Sequence, residues 1–244
     1  MTETTTLTTR ERLREKIVDA MLPHIAFDGW STQSAREAAR DLGLPYSEVE
    51  RVFPDGTAEM ADAFFAIGDR RFREAMAGHK LDNLRVRDRI TFAIRERLAQ
   101  DEPHREAARR ALSLLMLPTS GGRAPHALAR TVDQIWRAIG DTSTDVNFYT
   151  KRATLAGVYS STYLVWLSDN GKAQHGEDPY AETWAFLDRR IDNVMSFEKA
   201  KGRLSAFAER LPDPVGIAAR LRYPGKRFAA KFPWPTETGS LNSR

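Results

Sequence analysis

Cysteine is absent from this chain of 244 residues, which excludes disulfide bonds and thiolate metal ligands. No apolar run reaches the roughly 18 residues that a membrane-spanning helix needs. The first nine residues are polar and rich in threonine, without the apolar stretch of a signal peptide. We therefore expect a disordered lead-in over residues 1–9 and a protein that works in the cytoplasm.

Motifs of catalysis are missing as well. The five histidines are scattered, and none lies three or four residues from a glutamate or a second histidine, the spacing of a metal-ligand pair on a helix. Gly121-Gly122 lacks the lysine of a phosphate-binding loop, and no Gly-x-Ser-x-Gly sequence is present. The sequence favours a protein that is not an enzyme, without catalytic residues, metal or cofactor.

The basic residues are concentrated near the C-terminus. Residues 199–244 contain ten Lys and Arg against three Asp and Glu, so residues 1–198 contain 27 against 30. A basic tail on a nearly neutral body points to an anionic partner, either a phospholipid surface or a nucleic acid. On charge alone, the alternative is a solvated tail without a partner.

Apolar residues recur at helical spacing along most of the chain. Leu13, Ile17, Met21 and Ile25 predict a first helix over residues 10–27. About nine helices without an internal repeat or a convincing strand predict an all-α bundle. The other predicted helices span 32–42, 46–53, 58–77, 85–99, 104–117, a stretch ending at Gly140, 146–168, and the region of Trp184–Val194, with a loop at 119–125.

The first three predicted helices are arranged like those of TetR-type regulators. Gly43, between the second and third helix, allows the tight turn of a helix-turn-helix. We therefore expect a TetR-like fold with a helix-turn-helix subdomain over residues 10–55. Residues 31–55, however, contain three arginines against five acidic residues, whereas DNA phosphates require cations. The helix-turn-helix is therefore predicted to be degenerate and not to bind DNA.

A second and longer pattern covers residues 136–190. It contains Trp136-Arg-Ala-Ile-Gly-Asp-Thr-Ser-Thr-Asp145, then Val-Asn-Phe-Tyr149, and later Trp184-Ala-Phe-Leu-Asp-Arg-Arg190. The chain resembles the ubiquinone biosynthesis accessory protein family, a lipid-binding group with a degenerate TetR fold, from about Arg10 to Phe197. The resemblance implies a non-catalytic protein that presents isoprenoid quinones or quinone precursors to a membrane-bound di-iron hydroxylase.

Aromatic and charged residues are combined around the start of the predicted 146–168 helix. Tyr, Trp and Arg are common anchors of protein interfaces, and the resemblance implies that the hydroxylase docks here. The family commonly has tryptophan where this chain has Phe148, which removes an indole N–H. The alternative is that Gly140 and one of residues 143–145 serve only as helix caps. The docking surface is predicted to comprise Asp141, Asp145, Asn147, Phe148, Tyr149 and Arg152.

Apolar residues of the central helices are candidates for a lipid cavity. A largely apolar cavity with one or two tyrosine hydroxyls suits a quinone or a polyprenyl phenol. The alternative for each candidate is that it fills the core. The predicted lining residues are Phe92, Leu112, Leu115, Met116, Trp136, Ile139, Leu155, Tyr159 and Tyr163.

The basic tail, residues 199–244, is predicted to bind an anionic membrane because apolar and basic residues alternate in it. Residues 56–198 are then the lipid-binding bundle, and the protein is expected on the inner face of the membrane. Leu204, Phe207 and Leu211 share one face of a predicted short helix that ends at Pro212. Membrane contact is assigned to Leu204, Phe207, Leu211, Leu221, Arg220, Arg222, Lys226 and Arg227.

Two other functions stay open on the sequence. A transcriptional regulator of TetR type binds an operator as a dimer, and a structural scaffold binds proteins without lipid. We also expect a homodimer, because the last two long helices carry surplus apolar residues for a two-fold contact. These residues are Trp166, Leu167, Phe186, Leu187 and Ile191.

Overall fold

The computed structural model describes residues 7–141, 146–169, 171 and 178–208, and gives the backbone alone for residues 146, 147 and 197–208. Within these ranges the chain forms nine α-helices and no strand, which confirms the predicted all-α class. Two short 3-10 turns, Glu102–His104 and Pro118–Ser120, precede and follow α6. The helices are α1 Thr9–Asp28, α2 Thr32–Asp41, α3 Tyr46–Val52, α4 Thr57–Met76, α5 Val86–Asp101, α6 Arg105–Leu115, α7 Arg123–Ala138, α8 Val146–Ser168 and α9 Ala181–Ala208.

The helix ends follow local capping chemistry. Thr8 and Glu11 form a capping box at the start of α1, and Ser31 and Ser34 form another at the start of α2. Gly43 has a φ of 65° in the turn between α2 and α3, the conformation that the predicted helix-turn-helix requires. These contacts explain why the N-terminal boundaries lie within one residue of those predicted.

The loop predicted at 119–125 is shorter than expected. α7 begins at Arg123, directly after two glycines with left-handed φ values, Gly121 and Gly122. Pro125 therefore lies in the first turn of α7, where its missing N–H removes no intrahelical hydrogen bond. This start places Ala124 and Pro125 on the helix rather than in a loop.

The last helix is longer than the sequence indicated. α9 continues from Ala181 through Ala208 without a break. Leu204 and Phe207 therefore belong to α9, and the prediction that they lie on a separate short helix at the start of the tail is wrong. Leu211 and the other predicted membrane residues (Leu221, Arg220, Arg222, Lys226 and Arg227) lie outside the described residues. The chain divides into two compact units, Met1–Met195 and Ser196–Arg244, and the division falls within α9.

In the first unit, α4 is the central helix. It packs against α1, α5, α6 and α7, while α8 packs against α7. Its buried residues include Phe64, Phe65 and Phe72, which contribute large apolar surfaces to one continuous core. The helix-turn-helix joins that core through Val49, Val52 and other apolar residues. The fold therefore leaves α6, α7 and α8 around one side of α4, where the cavity described below lies.

Candidate functional site

A cavity of about 320 Å³ lies between α4, α6, α7 and α8. Its volume is near the lower end of the about 300–1,000 Å³ that is common for small-molecule sites. Met116 and Leu164 are 68% and 55% exposed and mark its open mouth. Thr131, Tyr159 and Tyr163 are buried and mark its inner end. The cavity is therefore apolar at the surface and carries hydroxyl groups inside.

A buried charge cluster stands behind these hydroxyls. Asp69 accepts hydrogen bonds from Nε of Arg97 at 2.8 Å and from the hydroxyl of Thr131 at 2.7 Å. Asp101 lies 2.8 Å from Nη1 of Arg97 and accepts a hydrogen bond from the Tyr163 hydroxyl at 2.9 Å. These bonds join α4, α5, α7 and α8 at the inner end of the cavity.

Burial and neighbouring charges shift the pKa values of Arg97, Tyr159 and Tyr163. Desolvation acts to lower the pKa of Arg97, but the charges of Asp101 and Asp69 outweigh it and raise that pKa well above its ordinary value. Desolvation also raises the pKa of Tyr159 and of Tyr163. The guanidinium therefore stays charged, and both phenol groups stay protonated at neutral pH.

The predicted lining residues divide into two groups. Phe92 is half-buried and contacts the ring of His79 at a centroid distance of 4.9 Å, away from this cavity. Trp136, Ile139 and Leu155 are buried in the core, so the alternative reading as core residues holds for them. The five predicted residues that do line the cavity are Leu112, Leu115, Met116, Tyr159 and Tyr163.

Several lining residues were not anticipated from the sequence. On α7, the lining residues Ala124, Ala127, Leu128 and Thr131 share one helical face, so their spacing was available as a signal. The small residues Ala124 and Ala127 leave space that larger side chains would fill. The further unanticipated lining residues are Phe65, Pro125, Ser160 and Leu164.

The predicted docking residues that the structure describes lie together at the start of α8. Phe148 and Tyr149 contact each other edge to face at a centroid distance of 5.2 Å, and Tyr149 is 74% exposed. The guanidinium of Arg152 covers the Phe148 ring and donates to Asp133 on α7 at 2.8 Å. We refer to Phe148, Tyr149 and Arg152 as the α8 aromatic surface.

Asp141 lies beside this surface and pairs with Lys151 at 2.8 Å. Asp145 lies outside the described residues, as do the capping candidates Ser143 and Thr144, and only the backbone of Asn147 is described. Gly140 has a φ of 86°, and its N–H and that of Asp141 donate to the carbonyls of Arg137 and Trp136. This is the Schellman arrangement, so Gly140 serves as the C-terminal cap of α7.

The three arginines of α2 and α3 are engaged within those two helices. Arg40 pairs with Glu37 at 2.7 Å, and Arg51 pairs with Glu48 at 2.5 Å. The guanidinium of Arg36 lies over the ring of Tyr46, 5.2 Å from its centroid. Neighbouring carboxylates therefore neutralise much of the positive charge that a DNA backbone needs.

The residues expected at a dimer contact are mostly unavailable for one. Trp166, Leu167, Leu187 and Ile191 are 1%, 6%, 0% and 5% exposed, respectively, because they fill the protein's own core. Phe186 alone of the five is half-buried. The assignment of these four residues to an interface is therefore wrong, whereas the homodimer itself stays a prediction.

Metal-binding clusters and membrane-spanning helices are both absent from the part of the chain that the structure describes. There, no group of three or more His, Asp or Glu residues is placed to hold a metal ion. None of the helices in the described ranges is long and apolar enough to cross a bilayer.

The helical arrangement and the cavity define a protein of TetR-like architecture. A TetR transcriptional regulator from Nitrosomonas europaea has a similar crystal structure, with a TM-score of 0.59, 21% sequence identity, and coverage of 74% of this chain and 97% of the regulator. At that identity, the similarity shows the fold alone.

Sequence comparison then identifies the family. The COQ9 family model matches residues 122–198, which include α7 and α8. The ubiquinone biosynthesis protein COQ9-B, mitochondrial, of Xenopus laevis is 30% identical over 220 residues, covering 87% of this chain and 73% of the relative. The rat protein COQ9, mitochondrial, is also 30% identical, with coverage of 87% and 68%. The chain belongs to the COQ9 family.

Proposed function

We propose that this protein is a non-catalytic lipid-binding accessory protein of ubiquinone biosynthesis. It binds an isoprenoid quinone or a quinone precursor in the cavity and presents it at a membrane surface to a di-iron hydroxylase. The observation that carries this proposal is a cavity with an apolar mouth and hydroxyl groups at its inner end, in a member of the COQ9 family. Such a distribution suits a ligand with an apolar tail and an oxygenated ring.

The α8 aromatic surface is the proposed docking site for the hydroxylase. An exposed tyrosine, a half-buried phenylalanine and an arginine that is fixed by an ion pair are the residue types that anchor protein interfaces. Because Asp133 and Phe148 already hold Arg152 in place, docking immobilises little additional side-chain freedom. The surface and the cavity both use α8, and Tyr149 is separated from Leu164 at the cavity mouth by about 22 Å along the helix axis.

A DNA-binding function receives less support from the same structure. Arginines of the helix-turn-helix are paired with carboxylates, which leaves less positive charge for DNA phosphates. We therefore do not propose DNA as a partner. The proposed partners are the isoprenoid lipid, the hydroxylase, the inner face of an anionic membrane, and a second copy of this chain.

Lipid extraction tests the proposal most directly. We expect the purified protein to carry prenylated quinones or their precursors, and to take them up from liposomes, as measured by mass spectrometry. Deleting the gene should lower ubiquinone and raise a precursor from the hydroxylation step. Protein that carries no isoprenoid and takes none from liposomes contradicts the proposal.

A further inference from the structure

The inner end of the cavity contains one hydroxyl group without a partner among the described residues. Tyr159 is 5% exposed and lines the cavity. Its ring lies 5.7 Å from that of Tyr163, but no hydrogen bond to its hydroxyl is present in the described part of the chain. The hydroxyl oxygen itself is not fully enclosed, so it is accessible from the cavity. This hydroxyl is therefore free to bond a ligand.

The two neighbouring hydroxyls differ from that of Tyr159 because their protons are already committed. Tyr163 donates to Asp101 and Thr131 donates to Asp69. Each hydroxyl oxygen keeps lone pairs that accept a hydrogen bond. Arg97 pairs with both carboxylates at 2.8 Å and holds them in position to accept these protons. Toward a ligand, Tyr163 and Thr131 are therefore acceptors, whereas Tyr159 is able to donate.

We infer that the inner end of the cavity receives the hydroxylated ring of an isoprenoid phenol or hydroquinone, and binds it in preference to the corresponding quinone. A ring O–H donates to Tyr163 or Thr131, and a ring oxygen accepts from Tyr159. A quinone carbonyl satisfies Tyr159 but has no proton for the two acceptors. This inference rests on the proposed function, because it assigns the class and the orientation of the lipid proposed there.

The shape of the cavity sets the direction of the tail. A volume of about 320 Å³ holds a substituted ring and a short part of a polyprenyl chain, but not a chain of many isoprene units. The rest of the tail leaves between Met116 and Leu164, which are exposed at the mouth. The ring is therefore inside and the tail outside, where apolar protein surface or lipid covers it.

Three probes with the same tail test this inference on the full chain. Geranyl hydroquinone, geranyl benzoquinone and geranylbenzene are titrated by calorimetry under anaerobic conditions. A reductant is added for the hydroquinone and left out for the other two probes. We expect the hydroquinone to bind about tenfold more tightly than the quinone, the effect of roughly one net hydrogen bond. Geranylbenzene, which has no ring oxygen, should bind most weakly.

Replacing Tyr159 by phenylalanine separates the hydroxyl from the ring. Because Tyr159 has no hydrogen bond to lose, Tyr159→Phe should fold normally and weaken both oxygenated probes about tenfold without changing geranylbenzene. Tyr46→Phe is the matched control, because it makes the same chemical change on α3, outside the cavity. This control should bind all three probes as the wild type does.

The outcomes distinguish this inference from the proposed function. Equal affinity for the three probes overturns the recognition of the ring while the lipid cavity stands. Tighter binding of the quinone than of the hydroquinone, or an unchanged affinity in Tyr159→Phe, also overturns it. If none of the three probes binds, both this inference and the proposed lipid cavity are overturned.

Discussion

The guanidinium of Arg152 lies over the ring of Phe148, with its central carbon 3.3 Å from the ring centroid. The same guanidinium donates to Asp133 on α7, so one side chain links the aromatic residue at the start of α8 to the neighbouring helix. A cation over an aromatic face is attracted by the ring quadrupole, and the ion pair limits the movement of the guanidinium. The orientation of Phe148 on the proposed docking surface therefore depends on Arg152.

This relationship predicts the effect of removing Arg152. Arg152→Ala should weaken hydroxylase binding about tenfold, measured by calorimetry or surface plasmon resonance, because Phe148 loses its support. Arg137→Ala is the matched control, since Arg137 also pairs with Asp133 but is 70% exposed and does not contact Phe148. Equal weakening by both substitutions argues that the charge of the region, rather than the orientation of Phe148, determines docking.

Tyr149 predicts a second effect at the same surface. Because its side chain is 74% exposed, Tyr149→Ala should leave helix content and thermal stability nearly unchanged while weakening hydroxylase binding by about tenfold or more. Phe27→Ala, which removes an aromatic side chain that is 86% exposed on α1, is the control and should bind as the wild type does. A parallel loss of lipid uptake in Tyr149→Ala assigns the residue a structural role instead.

The cavity predicts that filling it blocks lipid uptake. Ala124 lines the cavity, and Ala124→Trp places a large side chain in a volume of about 320 Å³. We expect a loss of prenylated lipid after incubation with liposomes, measured by mass spectrometry, with circular dichroism unchanged. Ala129→Trp is the control on the exposed face of the same helix. Normal uptake by Ala124→Trp places the lipid elsewhere.

The buried charge cluster predicts a large change in stability. Arg97→Ala leaves Asp101 buried without its arginine and leaves Asp69 with Arg130 alone, so the free energy of unfolding should fall by about 3–5 kcal/mol. Urea denaturation followed by circular dichroism measures this change. Arg51→Ala, at the exposed Arg51–Glu48 pair, should leave the unfolding midpoint nearly unchanged. A small effect at Arg97 is evidence that water reaches the two carboxylates.

We expect the C-terminal segment to attach the protein to a membrane. Full-length protein should float with anionic liposomes, and a truncation after Ala208, which keeps α9 intact, should not. Each cation near an anionic surface contributes about 1 kcal/mol, and salt should weaken flotation only partly because inserted apolar residues are not screened. Undiminished flotation of the truncated protein assigns the attachment to the first 208 residues.

The homodimer is checked by light scattering on the full-length protein without liposomes, where we expect a mass of twice 27.6 kDa.

Local sequence determined the helices of this protein. Period and caps depend on residues within one or two turns of each other, so α8 was predicted with its observed bounds and α1 within one residue. The resemblance over residues 136–190 likewise predicted the COQ9 family, because the family is recognised by residues along the chain.

Tertiary structure decided which apolar residues line space and which fill it. Tyr159 and Leu155 lie on the same helix and are both buried, yet Tyr159 lines the cavity and Leu155 packs in the core. Periodicity identifies a buried face, but only the packing of α4, α6 and α7 against it determines whether a void remains. The burial of Arg97 was decided in the same way, because its partners include Asp69, which is 28 residues away and is brought close only by folding.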